Sequence, residues 1–162
     1  MIVLVMGVSG SGKTTIGRLL ARDLGWTFLD ADDFHPAANV AKMHAGIPLT
    51  DEDRRPWLEA LRARMAEAHD RGEDVVLACS ALKHSYQRFL EEADPGDVRC
   101  VFLEGSRMLI RSRLEARTGH FMSPTLLDSQ FAALEPPDDA VRVDVSGSPE
   151  EIVAVARAGL GV

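Results

Sequence analysis

The chain has 162 residues, 46% hydrophobic and 27% charged, which is enough for one globular domain with a single core of ordinary size. Its net charge of −7 excludes the overall basic field that recruits nucleic acid or an anionic membrane. No apolar run approaches a membrane span, and the N-terminal one lacks the basic start of a signal peptide. Cys79 and Cys100 both lie in apolar runs, so we expect buried free thiols in a cytoplasmic protein.

Strand-like and helical patterns alternate along the whole chain. Strands are predicted at 2–6, 26–30, 74–79, 98–103 and 141–145, and helices near 14–24, 37–45, 51–70, 82–93, 106–118, 123–134 and 149–159. Thr50 and Asp53 have the spacing of a capping box, while Gly25 and Gly72 mark helix ends. The alternation predicts an α/β fold with a parallel sheet and helices on both faces, whose ligands bind at the carboxyl ends of the strands.

The first predicted strand runs directly into a phosphate-binding pattern, G-x-x-x-x-G-K-[ST], at residues 7–14. A strand, a glycine loop and a helix N-terminus form an anion site, because backbone N–H groups and the helix dipole favour phosphate oxygens. Lys13 is expected at the β- and γ-phosphates of ATP and the Thr14 hydroxyl at Mg²⁺. The nucleotide-binding residues predicted here are Gly7, Ser9, Gly10, Ser11, Gly12, Lys13, Thr14 and Thr15.

Two alternatives compete with this phosphate loop. One is a Gly/Ser-rich turn that binds nothing, which would make the full match accidental. The other is the dinucleotide pattern G-x-G-x-x-G, which fails because Thr15 stands where its third glycine belongs.

Acidic residues follow the second predicted strand. Asp30 and Asp32 have the two-residue spacing of one strand side and leave the sheet beside the phosphate loop. Phosphoryl transfer needs a carboxylate near the metal and benefits from one that accepts a hydroxyl proton. We therefore predict Asp30 at Mg²⁺ and Asp32 at the acceptor hydroxyl. The alternative is a solvated acidic turn that caps the next helix, and His35 is expected either to bind substrate or to satisfy that turn.

Basic residues occur where an acceptor would bind, after the second and third strands. Arg54 offers a planar fork suited to a carboxylate, whereas Lys42 offers a point charge. Ser80 and Lys83 follow the third strand and are candidates for substrate contact. For each of these side chains the alternative is an ordinary position at a helix surface or in solvent.

An arginine-dense helical pattern follows the fourth strand. Arg113 and Arg117 are four residues apart and share a helix face, next to a glycine at 119. Such a segment can close over a triphosphate and exclude water, and an arginine there can stabilise the transferring phosphoryl group. The alternative is a salt-bridged surface helix with Glu115 as a partner.

The motifs together resemble those of the bacterial P-loop gluconokinases, the small thermoresistant class within the shikimate- and nucleoside-monophosphate-kinase-like group. The similarity covers almost the whole chain, and the residues that carry it are Met6 to Lys13, Asp32, His35-Pro36, Asn39, Lys42-Met43, Gly46, Pro48-Leu49, Asp51, Asp53-Arg54, Pro56-Trp57-Leu58, Cys79-Ser80-Ala81-Leu82-Lys83, Tyr86, Gly119-His120-Phe121-Met122 and Ser129-Gln130-Phe131. In the family pattern an arginine directly follows the tyrosine. Here Gln87 stands at that place and the arginine is Arg88, about 100° further round a helix.

The resemblance implies one three-layer P-loop kinase domain over 1–162, with a five-stranded parallel sheet, an acceptor segment near 35–60 and a lid near 106–135. It implies transfer of the ATP γ-phosphate to the 6-hydroxyl of D-gluconate, with Mg²⁺, in a cytoplasmic homodimer. The net charge and the lack of an apolar span separately predict no nucleic-acid or membrane partner. It also implies catalytic Lys13, Asp32 and Arg117, and substrate contacts from Asp32, His35, Arg54, Lys83 and His120. A kinase for another small acid or polyol, and a non-enzymatic ATP-binding switch, are the alternatives.

Overall fold

The computed structural model describes residues 1–94, 96–116 and 124–162, the side chains of 124–126 excepted. The strands are β1 (Ile2–Met6), β2 (Thr27–Asp30), β3 (Val75–Ala78), β4 (Val98–Glu104) and β5 (Ala140–Asp144). The α-helices are α1 (Lys13–Leu24), α2 (Ala37–His44), α3 (Asp51–Asp70), α4 (His84–Glu91), α5 (Arg107–Glu115), α6 (Pro124–Ala133) and α7 (Pro149–Leu160). Each predicted strand and helix is present. The sequence did not predict the short 3-10 helix Ala31–Phe34, which follows β2.

The five strands form one parallel sheet in the order β2-β3-β1-β4-β5, which confirms the predicted sheet. β1 lies at the centre, between β3 and β4. β2, the next strand along the chain, lies two places from β1, at the edge of the sheet. Asp30 and Val5 both pair with Ala78, so β2 and β1 end at the same level. The segments after β1 and β2 therefore meet at the carboxyl edge, where the strand order reverses and α/β sheets bind ligands.

The two faces of the sheet carry separate apolar cores because side chains alternate along a strand. In β1, Ile2, Leu4 and Met6 join the core beneath α3 and α4, while Val3 and Val5 join the core beneath α1 and α7. A third, smaller cluster connects Val8 of the phosphate loop with α5 and α6. The loop is therefore anchored to the helices after β4.

The start of α3 is fixed by the predicted capping box. The Thr50 hydroxyl accepts from the Asp53 N–H at 3.1 Å, and the Asp53 carboxylate accepts from the Thr50 N–H at 3.0 Å. Lys42 of α2 donates to the same carboxylate at 2.8 Å. The Lys42 hydrogen bond, with the Thr50 N–H, lowers the pKa of Asp53 from 3.8 to about 2.

This lowered pKa predicts acid-sensitive stability. A carboxylate whose pKa is lower in the folded state than in the unfolded state stabilises the fold at every pH above the unfolded-state pKa. This stabilisation is lost as the pH falls through the folded-state pKa. The contribution of Asp53 should be complete above about pH 5 and lost towards about pH 2. We expect Asp53→Asn to unfold at a lower temperature than the wild type at neutral pH and the two midpoints to converge in acid. Midpoints that stay equally far apart down to about pH 2 would contradict this role of Asp53.

Both cysteines are free and buried, as predicted. Burial raises the pKa of the Cys79 and Cys100 thiols to about 12. In the part of the chain that the structure describes, no helix is both long enough and apolar enough to cross a membrane.

Candidate active site

The phosphate loop lies between β1 and α1 and depends on glycine at two points. Gly12 caps the start of α1 with φ +96°, a left-handed conformation that side chains rarely adopt. Gly10 has φ +81°, and a Cβ there would lie 2.7 Å from Leu114 of α5. Since α1 begins at Lys13, the first-turn amides of α1 have no carbonyl four residues back within the helix. The predicted anion site is thus a left-handed turn that leads into a helix N-terminus.

Not every amide of the loop faces open space. The Ser11 N–H donates to the Val8 carbonyl at 3.1 Å, which closes the turn, and the Ser11 side chain is buried. The Ser9 N–H donates to Oε1 of Gln130 in α6 at 2.7 Å. A phosphate oxygen that took the Ser9 N–H would replace this amide oxygen. Thr15 lies in the exposed part of the first turn of α1.

The two residues predicted at Mg²⁺ meet directly. The Thr14 hydroxyl donates to Oδ2 of Asp30 at 3.0 Å, and Oδ1 of Asp30 accepts from the Asp32 N–H at 3.0 Å. Asp30 therefore caps the 3-10 helix and also borders the phosphate loop, and its place at Mg²⁺ stays a prediction. Hydroxyl and carboxylate oxygens beside a phosphate cradle fit Mg²⁺, which typically takes one or two protein oxygens and completes its shell with phosphates and water.

Asp32 projects into the same region. It lies on the 3-10 helix rather than on an extension of the strand, and its surface remains in contact with solvent. Its carboxyl group still loses much of its hydration among the surrounding walls, and this desolvation raises the pKa of Asp32. The Lys13 ammonium lowers the same pKa by its charge, while Asp30 raises it. Asp32 is thus close enough to interact with both the phosphate-loop lysine and the acidic pair partner.

His35 packs against the core. Its ring stacks on Trp57 with 4.4 Å between centroids and 10° between planes. Trp57 is 2% exposed and donates its indole N–H to the Ala31 carbonyl at 2.7 Å. Burial, with a smaller contribution from the Arg54 charge, lowers the pKa of His35 to about 4. His35 is therefore a neutral imidazole at physiological pH, held flat on a rigid platform.

Arg54 is held by groups that its own helix does not supply. Its guanidinium donates to the Leu49 carbonyl at 2.7 Å and to the Tyr86 hydroxyl at 3.4 Å, and it lies 5.6 Å from the centre of the Tyr86 ring. The Tyr86 hydroxyl in turn donates to Asp51. This network orients Arg54 while leaving part of its five-donor fork for a ligand.

Lys83 has a different environment. Its ammonium pairs with Asp51 at 2.9 Å and lies 5.5 Å from the Tyr86 ring centre, which raises the pKa of Lys83. It lines a neighbouring pocket that it shares with Arg54 and not the main cleft. Lys42, which does lie in the acceptor segment, pairs with the Asp53 carboxylate that caps α3. Arg54 is thus the cation of the acceptor segment that opens into the cleft.

One cleft, open to solvent, brings these groups together. We call it the acceptor cleft. Lys13 enters it from the phosphate loop, Asp32 and His35 from the 3-10 segment, and Arg54 from α3. Its other polar lining residues include Ser9, Ser80, Tyr86, Ser129 and Gln130. It places the Lys13 ammonium beside a carboxylate and an arginine fork.

The arginine-rich helix is partly described. Arg113 donates to the Val145 carbonyl after β5, and Arg111 pairs with Glu115 at 3.4 Å, as the surface-helix alternative expected of this segment. Arg117 and His120 lie outside the described residues, so their catalytic and substrate-binding roles stay predictions.

The departure from the family pattern at Gln87 has a structural explanation. Gln87 is buried, and its amide donates to the carbonyls of Ala81 at 3.0 Å and Glu135 at 2.9 Å. It therefore ties the segment after β3 to the segment after α6. Arg88 is exposed and borders a different groove, with Glu91 and Glu92, so it does not replace an arginine of the acceptor cleft.

Comparison with known proteins gives consistent results. A family model described as "AAA domain" matches residues 2–137. A probable gluconokinase from Xenopus tropicalis is 46% identical, over 96% of this chain and 84% of its own length. The crystal structure of a gluconokinase from Sinorhizobium meliloti 1021 is 47% identical, with a TM-score of 0.90 over 98% of this chain and 90% of that one.

More distant structures agree on the fold alone. A shikimate kinase from Aquifex aeolicus is 18% identical, with a TM-score of 0.65 over 99% of this chain and 96% of that one. The fold is therefore that of the P-loop kinases, as predicted. With 46% and 47% identity over 84% and 90% of the lengths of the two gluconokinase relatives, the chain belongs to the gluconokinase family.

Proposed function

We propose that this protein is an ATP:D-gluconate 6-phosphotransferase, which converts D-gluconate to 6-phospho-D-gluconate. The observation that carries the proposal is the shared acceptor cleft, in which the phosphate-loop lysine, a carboxylate and a positioned arginine lie together. The names of the close relatives support gluconate as the acceptor.

In this reaction the 6-hydroxyl oxygen of gluconate attacks the γ-phosphorus and the bond from that phosphorus to the β–γ bridging oxygen breaks, which releases ADP. The amides of the phosphate loop and Lys13 bind the phosphates. Asp32 orients the hydroxyl and accepts its proton, a role that its raised pKa favours. His35 binds an acceptor oxygen and Arg54 the gluconate carboxylate. Further contacts remain predictions from the sequence: Arg113 and Arg117 with the nucleotide, and Lys83 and His120 with the acceptor.

Mg²⁺ is part of this proposal, and the residues that would hold it are Thr14 and Asp30, whose side-chain oxygens lie 3.0 Å apart. When bound, the ion would neutralise phosphate charge. We further propose a single kinase domain over 1–162, with an acceptor segment near 35–60 and a lid near 106–135. We also propose a cytoplasmic homodimer without nucleic-acid or membrane partners. Analytical ultracentrifugation tests the dimer.

The function is tested by acceptor-dependent ADP release. The purified protein is incubated with MgATP and D-gluconate, and in parallel with shikimate, other sugar acids and uncharged polyols. We expect the highest kcat/KM with gluconate. A higher value with another acid would reassign the acceptor, and tight ATP binding without stimulation by any acceptor would favour a switch.

Arg54 provides the sharpest test of the carboxylate site. Arg54→Ala should raise the KM for gluconate by about 10- to 100-fold with a smaller change in kcat, because a charge-assisted hydrogen bond of about 1.5–3 kcal/mol is lost in ground and transition states alike. Arg54→Lys keeps the charge without the planar fork, so its KM for gluconate should lie between those of the wild type and Arg54→Ala. Arg55→Ala is the matched control, since Arg55 is exposed and lies outside the acceptor cleft. An unchanged KM in Arg54→Ala would move the carboxylate elsewhere.

A further inference from the structure

Asn39 is a buried polar residue for which the reaction scheme has no use. It is 3% exposed and lies in the first turn of α2. Its Nδ2 donates to the Asp53 main-chain carbonyl at 2.8 Å and lies 3.2 Å from Nδ1 of His35. One amide group thus connects α3 with the imidazole that lines the acceptor cleft.

The donors and acceptors in this contact determine where the imidazole proton lies. A carbonyl oxygen can only accept, so the Asn39 atom that faces Asp53 is the NH₂ group and not the amide oxygen. The second hydrogen of that NH₂ is directed at His35 Nδ1. Two donors cannot bond to each other, so Nδ1 carries a lone pair and the proton of the neutral ring resides on Nε2.

The imidazole is also prevented from turning away. Its plane is set by the stack on Trp57, and Trp57 is itself fixed by the indole hydrogen bond to Ala31. Protonation of Nδ1 would place an N–H against the Asn39 amide NH₂, and burial and the Arg54 charge separately lower the pKa of His35. The stack and the amide together leave Nε2 as the ring nitrogen that can serve the cleft.

We infer that Asn39 is a positioning residue that holds His35 as the Nε2–H tautomer, so that His35 donates a hydrogen bond to an acceptor oxygen of the substrate. The inference rests on the proposed function for the identity of that substrate. It also bears on which group of the cleft accepts the hydroxyl proton. A nitrogen that already carries its proton cannot take one from a hydroxyl, so proton acceptance falls to Asp32.

The tautomer is measured without turnover. In ¹⁵N-labelled wild-type protein, two-bond ¹H–¹⁵N correlation spectra at pH 7 distinguish a protonated from an unprotonated ring nitrogen, and His35→Gln assigns the signal among the five histidines. We expect Nδ1 unprotonated and Nε2 protonated. A wild-type signal with the proton on Nδ1, or with fast exchange between the two forms, would overturn the inference whatever the substrate is.

A pair of variants tests the consequence for binding. Asn39→Asp offers a carboxylate that accepts from Nδ1–H and should switch the tautomer, whereas Asn39→Ala removes the amide without specifying either form. Because one neutral hydrogen bond to the substrate is lost, we expect the KM for gluconate to rise about 5- to 10-fold in Asn39→Asp. In Asn39→Ala the rise should be about 2- to 3-fold. In both variants the KM for ATP should stay within about twofold of the wild-type value. Equal effects of the two variants on the gluconate KM would mean that Asn39 has a structural role and does not set the tautomer of His35.

Discussion

Replacing Asp32 with asparagine should lower kcat by about 10²–10⁴-fold while the Kd for ATP stays within about twofold. The amide keeps the size of the side chain but cannot accept the hydroxyl proton, and the phosphate loop that binds ATP is untouched. ADP release under saturating substrates gives kcat, and calorimetric titration gives the Kd. Asp33→Asn is the matched control, because Asp33 is the exposed neighbour on the same turn and does not line the cleft.

The pH profile of the wild type adds a second readout. Asp32 must be ionised to accept a proton, and desolvation raises its pKa above the ordinary value. The rate should therefore fall on the acid side as Asp32 becomes protonated, at a pH higher than an exposed aspartate would require. The Asp32→Asn variant should lack this limb. Wild-type turnover in that variant would remove Asp32 from the mechanism.

Truncating Trp57 to alanine should reduce the free energy of unfolding by about 3–5 kcal/mol. The indole is almost completely buried in the core beneath α3, and its loss leaves a cavity and removes the hydrogen bond to the Ala31 carbonyl. Urea denaturation, with the slope compared between variants, measures the difference.

Trp57→Phe separates packing from hydrogen bonding. Phenylalanine keeps a ring for His35 and most of the buried volume but cannot donate to Ala31, so we expect a loss of about 1–3 kcal/mol. A loss as large as that of the alanine variant would assign the effect to the hydrogen bond, and a loss below about 1 kcal/mol in Trp57→Ala would mean that the core collapses into the space.

Local patterns in the sequence were sufficient for the fold because each element carries its own period and its own end signals. The alternation in β1, the capping box of α3 and the glycine after α1 each act within a few residues, and all three are present in the structure. The phosphate loop is equally local, since one continuous segment provides both the turn and the helix N-terminus.

The environment of the acceptor residues depends on contacts that no local pattern encodes. Tyr86 reaches Asp51 across 35 positions, and Ser9 reaches Gln130 across 121. The position of Lys83 after a strand predicts that it contacts substrate, yet its pairing with Asp51 depends on how α3 and α4 pack. The tertiary arrangement also turns Asn39, a motif residue without an assigned role, into a partner of His35.

The burial of both cysteines makes the chain suited to site-specific labelling. With thiol pKa values of about 12, neither native side chain forms the thiolate that reacts with maleimides at neutral pH. A cysteine introduced at the exposed Asp128 would therefore be the dominant reactive site. Because α6 also carries the Gln130 contact to Ser9, a fluorophore at 128 would report in real time whether ATP displaces that helix from the phosphate loop.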